Sequence, residues 1–197
     1  MDTSVVIQEF YEQDVQVKHN ISTYYNMPHP HFHDGFEITF TLTAGILFNI
    51  DNRQYVTRVG SILLINNEEI HHNTVPSGLL YDRYILYIRP DFMQNFNGQG
   101  EELLRLFTNR PEHFENCLYP NQSQIIKMTQ LMDQLHEYTA EDVYMKQFRK
   151  QLVTAQILLL CNEIALGAPR GEGGQALSAT SGSALSRCIS RNTTVKT

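Results

Sequence analysis

The sequence predicts a mainly β domain, a sandwich or barrel, that gives way to a C-terminal helical hairpin. Two observations carry this reading. Residues 1 to about 90 break into short runs rich in β-branched and aromatic residues, separated by Gly, Asn and Asp, as in all-β domains built of many short strands. Beyond Pro90 the apolar residues recur at helical spacing instead, which marks a change of element type.

The elements follow in order. "VQVKHNIS" and "YVTRVGSILLI" read as strands. "FNIDNRQYV" puts Asp51 and Asn52 between two alternating runs, a hairpin signal. "LLYDRYILYI" continues the pattern and stops at Pro90. "PDFMQNF" and "EELLRLF" predict short helices, the first opening on a proline. After Pro120, the residues Ile125, Met128, Leu131, Met132 and Leu135 lie on one helical face. A second helix, about 141–166, carries the stripe Tyr144, Phe148, Leu152, Ala155 and Leu159. Ser123 and the pair Glu141–Asp142 are the start signals. The stripe is expected to face the domain's own core or the first helix. The additional Ile157, Leu158 and Leu160 then spill onto adjoining faces, wide enough to meet a partner helix. From Gly167 the chain is rich in Gly, Ser, Thr and Ala with no apolar period, which predicts a disordered tail.

Composition excludes several classes. Residues 167–197 carry a net charge of +3, so residues 1–166 carry −9. A body this acidic repels phosphate and has no electrostatic footprint for nucleic acid. No positive n-region and apolar h-region open the chain. The longest apolar run, Ile157 to Cys161, is far too short to span a bilayer. Cys117, Cys161 and Cys188 are odd in number and widely spaced, which reads as reduced thiols in a cytoplasmic protein. No G-x-S-x-G nucleophile motif is present.

The segment most able to carry chemistry is "HPHFHDGFE", residues 29–37. On a strand His31, His33, Glu37, Thr39 and Thr41 share one parity, and Phe32, Phe36, Ile38, Phe40 and Leu42 the other. Taken alone, the pattern makes the apolar set core and the polar set a solvated face. Gly35 allows a bulge that would shift the parity beyond it. Histidine is also the commonest metal ligand, so a metal site, a ligand pocket and a polar strand face all fit these residues.

Further along, "VGSILLINNEEIHHN" sets a glycine, an apolar run, a turn and then His71. Together the two stretches resemble the paired motifs of cupins: His31, His33, Glu37 and Gly45 in the first, Gly60, Ser61 to Ile65 and His71 in the second. More narrowly, residues 15–90 resemble the N-terminal ligand-sensing domain of AraC-type transcription regulators, and residues 120–166 match that pattern more loosely. The resemblance implies a cupin-like double-stranded β-helix barrel with short helices over residues 1–118. It implies a helical dimerisation hairpin over 119–166, forming a homodimer, and no helix-turn-helix in the tail 167–197. It implies a small-molecule effector, a sugar or similar polar metabolite, bound by His31, His33, Glu37, His71 and Tyr24, with Tyr25 nearby, and no catalytic residues. DNA binding by this chain alone is not expected, and the shift in composition near residue 167 points to truncation or a change of frame there.

The chain departs from the cupin pattern at Asn66 and Glu68, where Pro and Gly are usual, and at Tyr25, where a glycine is. No cofactor is expected, yet three imidazoles and a carboxylate also suit Fe(II), Mn(II), Ni(II) or Zn(II). The alternative function is therefore a metal-dependent isomerase, epimerase or dioxygenase.

Overall fold

Alternating apolar positions build two sheets whose inner faces enclose a lumen. The computed structural model describes residues 6–167 apart from 12, 24–26, 28, 94, 95, 97, 112 and 113. The first sheet runs β1 (Ile7–Glu9), β3 (His31–His33), β8 (His71–Thr74), β5 (Leu47–Ile50), β6 (Arg53–Val56). The second runs β10 (Cys117–Leu118), β7 (Ser61–Ile65), β4 (Phe36–Thr41), β9 (Tyr81–Ile88), β2 (Val15–Ser22). Pairing is antiparallel except between β1 and β3. Asp51 and Asn52 form the expected two-residue hairpin between β5 and β6, with Asp51 at φ 48°.

β7 shows how the sheets are covered. Leu63 and Ile65 join the inner core with Ile46, Phe48, Ile50, Tyr55 and Tyr81. Ile62 and Leu64 point the other way, into a core shared with the helices. A strand buried on both faces reads as a continuous apolar run, and "SILLI" does.

A 3₁₀ turn (Pro90–Met93) and two short helices, α1 (Gln99–Leu103) and α2 (Arg105–Thr108), follow β9. The long helices are α3 (Gln122–Ala140) and α4 (Lys146–Gly167). α3 starts one residue before the expected Ser123. Its cap is Asn121, whose side chain accepts from the Gln124 backbone N–H while the Gln124 side chain accepts from the Asn121 backbone N–H, closing a box of reciprocal bonds. Glu141 closes α3 rather than opening α4. Gly60, at φ +85°, lies against this helix: an added Cβ would overlap the Ile125 side chain. Among the described residues, no helix is long and apolar enough to cross a membrane.

α4 corrects one expectation outright. Ile157, Leu158 and Leu160, expected to reach a partner, are buried in the core at 0, 1 and 8 % exposure. Tyr144, Phe148, Leu152 and Leu159, expected inside, are 42–81 % exposed, and of that stripe only Ala155 is buried. Both faces of the helix are apolar, so periodicity alone could not say which one the barrel takes. The expected tail beyond Gly167 lies outside the described residues.

Candidate functional site

The histidine segment is not one strand. It bends at Asp34–Gly35, so β3 lies in the first sheet and β4 in the second. Gly35 makes the corner close: an added Cβ would stand 2.9 Å from the Ile88 carbonyl oxygen. The parity shift that a bulge at Gly35 would have allowed does not occur, because the chain changes sheets and keeps its odd-numbered side chains toward the lumen. The expected solvated face does not form either. Phe36, Ile38 and Phe40 pack on the helices, while Glu37, Thr39 and Thr41 are buried on the other side.

Four predicted residues converge there: His31 and His33 from β3, Glu37 from β4 and His71 from β8. All are at most 5 % exposed. Register places His31 directly opposite His71. His33 Nε2 lies 2.9 Å from Glu37 Oε2 and 3.1 Å from His71 Nε2. His71 Nε2 lies 3.5 Å from the same carboxylate oxygen. The other oxygen, Glu37 Oε1, accepts a 2.5 Å bond from the Thr39 hydroxyl. His71 Nδ1 donates to the Glu69 carbonyl at 3.1 Å. The turn before it is an Asx turn: Asn66 Oδ1 accepts from the backbones of Glu68 and Glu69, replacing the expected Pro and Gly with a side chain that bonds its own loop. Tyr24 and Tyr25 lie outside the described residues.

The electrostatics follow from this geometry. Burial works to raise the Glu37 pKa, but the hydrogen bonds and charge of His33 and His71 outweigh it and hold the carboxyl well below its usual range. Burial works against charge on His71 too, yet the bond and charge of Glu37, aided by Glu69, raise its pKa. Burial, reinforced by the neighbouring His71 and His33, pulls His31 down to about 4. Its ring is neutral near pH 7, with a lone pair to offer.

Residues that the sequence did not single out complete the site. Tyr11 stacks on Tyr87 with centroids 3.8 Å apart, and its hydroxyl lies 3.2 Å from His33 Nδ1 and donates to Glu9. Burial and the charge of Glu37 push the pKa of Tyr87 far up, so its phenol stays protonated. A partly open cavity of about 100 Å³ adjoins the cluster, lined by Glu9, His31, Glu37, His71, Asn73 and Arg83 among others. Arg83 is buried, donates to Ser22 and to the Tyr81 carbonyl, and lies 4.1 Å over the Tyr81 ring. Asn73 donates to the Tyr81 hydroxyl, and its buried Oδ1 has no partner among the described residues. The signal for Thr39 was its parity with Glu37. For Asn73, Arg83 and Tyr87 it was alternation on β8 and β9, which says nothing of chemistry until the strands are paired.

Two facing sheets, a polar lumen and a C-terminal helical layer define a cupin-like barrel domain. The chain belongs to the AraC-like ligand binding domain family, whose model matches residues 14–145. Among solved structures, it is similar to the AraC-like transcriptional activator CuxR at 9 % identity and a TM-score of 0.45, over 73 % of this chain and 46 % of that one. It is similar to ToxT from Vibrio cholerae at 12 % identity and a TM-score of 0.47, over 77 % of this chain and 58 % of that one. A second ToxT structure, bound to (E)-4-(8-methylnaphthalen-1-yl)but-3-enoic acid, gives the same coverage and identity with a TM-score of 0.48. The match thus spans about half the length of those chains. No curated protein matches the sequence significantly.

Proposed function

We propose that the barrel is the effector-sensing domain of an AraC-type transcription regulator, and that it takes a small polar metabolite, a sugar or a molecule of similar polarity, into the lumen. The observation that carries this reading is the partly open cavity whose lining carries polar groups from both sheets. Buried polar groups are costly unless bonded, and Asn73, which lines the cavity, has a buried Oδ1 without a partner among the described residues that a ligand donor would satisfy. The volume, about 100 Å³, is below the roughly 300–1,000 Å³ of drug-sized sites. It favours a ligand of few heavy atoms unless the exposed edge strand β1 shifts.

The test is calorimetry and thermal shift with a panel of sugars, sugar acids and small hydroxy acids, beside mass spectrometry of small molecules that co-purify. One ligand should bind stoichiometrically and lose most of its affinity in Asn73→Leu. Turnover of a bound molecule would favour the isomerase, epimerase or dioxygenase reading instead. Binding that Asn73→Leu leaves intact would place the site elsewhere.

The same reading includes a homodimer through α4. Leu152, Leu159 and Leu166 on α4 are seven residues apart and 42–69 % exposed, with Phe148 beside them, the spacing of a helix-pairing seam. Leu159→Glu should give monomer by light scattering with unchanged circular dichroism. A wild-type monomer at high micromolar concentration would sink this part. The acidic body gives no reason to expect sequence-selective DNA binding by this chain alone, and its cysteine usage fits a cytoplasmic protein.

A further inference from the structure

We infer that the effector is a small 2-hydroxy monocarboxylate, its carboxylate held by Arg83 and its hydroxyl by Asn73. This deepens the proposed function and rests on the cavity being the effector site.

The cavity has two electrically different ends, and strand register sets them apart. On β9, Tyr81, Arg83, Ile85 and Tyr87 alternate onto the lumen side, and all four line the cavity. On β4, Glu37 pairs with Tyr87 and Thr41 pairs with Arg83. Arg83 and Glu37 thus lie roughly 13 Å apart along the sheet, at the rise of a strand. Glu9, the other acid of the lining, pairs with His33 on β3 and so stands at the Glu37 end. There Glu37 is already engaged: Oε2 faces His33 and His71, and Oε1 accepts from Thr39. At the far end Arg83 is buried and keeps its charge at any working pH. An anion entering the lumen is repelled from the first end and drawn to the second.

The guanidinium is oriented before a ligand arrives. Its Nη1 donates to Ser22 and to the Tyr81 carbonyl, and its Cζ lies 4.1 Å over the Tyr81 ring. A planar fork held in one orientation suits a carboxylate better than a neutral hydroxyl, because it can meet both oxygens with parallel bonds.

Tyr81 brings a second group to the same end. Its hydroxyl accepts from Asn73 Nδ2 at 3.1 Å, and the adjoining Oδ1 is buried with no partner among the described residues. Through the Tyr81 ring, Arg83 Cζ and the Asn73 amide are roughly 10 Å apart or less. A 2-hydroxy carboxylate covers that span, with about 4 Å from guanidinium to carboxyl carbon and about 2.8 Å from hydroxyl to amide. A hydroxyl both donates and accepts, so it serves Asn73 whichever way the amide is turned. An ammonium in its place would bring positive charge toward the guanidinium. The volume of about 100 Å³ suits molecules the size of glycolate, lactate and glycerate.

The test is calorimetry on the full chain with those three acids. Each is measured beside its neutral amide and beside acetate, propionate or 3-hydroxypropionate, which lack the 2-hydroxyl. One of the acids should bind at one equivalent. Its amide should bind about 100-fold more weakly, and its deoxy counterpart about 10-fold more weakly. Arg83→Gln should weaken the acid about 100-fold and the amide much less, and Arg83→Lys, which keeps the charge and loses the fork, about 10-fold. If Arg83→Gln does not fold by circular dichroism, Arg83→Lys and the acid–amide comparison decide. An amide that binds as tightly as its acid would overturn the carboxylate and leave the effector reading standing. So would a sugar whose affinity falls in Asn73→Leu but not in Arg83→Gln. Glycine or alanine binding more tightly than glycolate or lactate would overturn the hydroxyl. An acid that binds equally to the parent, Arg83→Gln and Asn73→Leu would place the site outside the lumen and overturn both readings. No binding by any of the three acids would overturn the 2-hydroxy carboxylate alone.

Discussion

Strand β4 has two buried faces, and they differ in kind. Phe36, Ile38 and Phe40 are at most 2 % exposed and meet apolar partners, Phe36 stacking on Phe107 at 4.8 Å. Glu37, Thr39 and Thr41 are at most 4 % exposed and meet hydroxyls, imidazoles and carbonyls. The apolar face holds the sheet to its helices by removing area from water. The polar face gains little from burial, since hydrogen bonds made inside replace ones made to water. Equal burial with unequal benefit to stability separates the two faces, and the proposed function puts binding on the lumen side.

The comparison can be broken most directly on the apolar face. Phe40→Ala should cost about 3–5 kcal/mol by urea denaturation, from lost transfer and the cavity left behind. A loss under about 1 kcal/mol would mean that the helices do not pack on this face. The corner between the strands comes next. Gly35→Ala forces its Cβ against the Ile88 carbonyl, so the corner must open, at about 1–3 kcal/mol. An unchanged urea midpoint would show that the corner is loose and that His31 and His33 are not held against β4. On the lumen face, Thr39→Val removes one bond to Glu37 at nearly constant shape. It should change stability by about 1 kcal/mol while altering whatever the cavity binds. A Thr39→Val chain as destabilised as Phe40→Ala would erase the distinction between the faces.

The smallest effect concerns the thiols. Burial pushes Cys161 up to about 12, and burial pushes Cys117 up to about 11 against the smaller opposing pull of its neighbours Tyr119 and Ser61. Because the thiolate is the reactive form, neither should be alkylated in the folded chain at pH 8, and both should react once urea unfolds it. Peptide mapping after iodoacetamide reads this directly. Labelling of Cys161 before unfolding would show that α4 opens from the core.

Much of this was legible in the residues. The β2 run, the Asp51–Asn52 hairpin and the apolar β7 needed only local pattern, because a strand's period and a turn's residues are set by nearest neighbours. His31, His33, Glu37 and His71 were legible as a group through spacing and resemblance. Glu9, Asn73 and Arg83 were not, since each reaches the cavity only through the pairing of its strand with others.

What the sequence by itself determined is the order of element types, the parity of the histidine segment and the donor set. What only the tertiary structure decided is which face meets what. Parity divides side chains into two sets, but whether the polar set sees water depends on a second sheet closing over it. On α4 apolar residues surround the helix, so the barrel buries Leu158 and leaves Leu159 half exposed through packing, a choice made between surfaces that periodicity cannot rank.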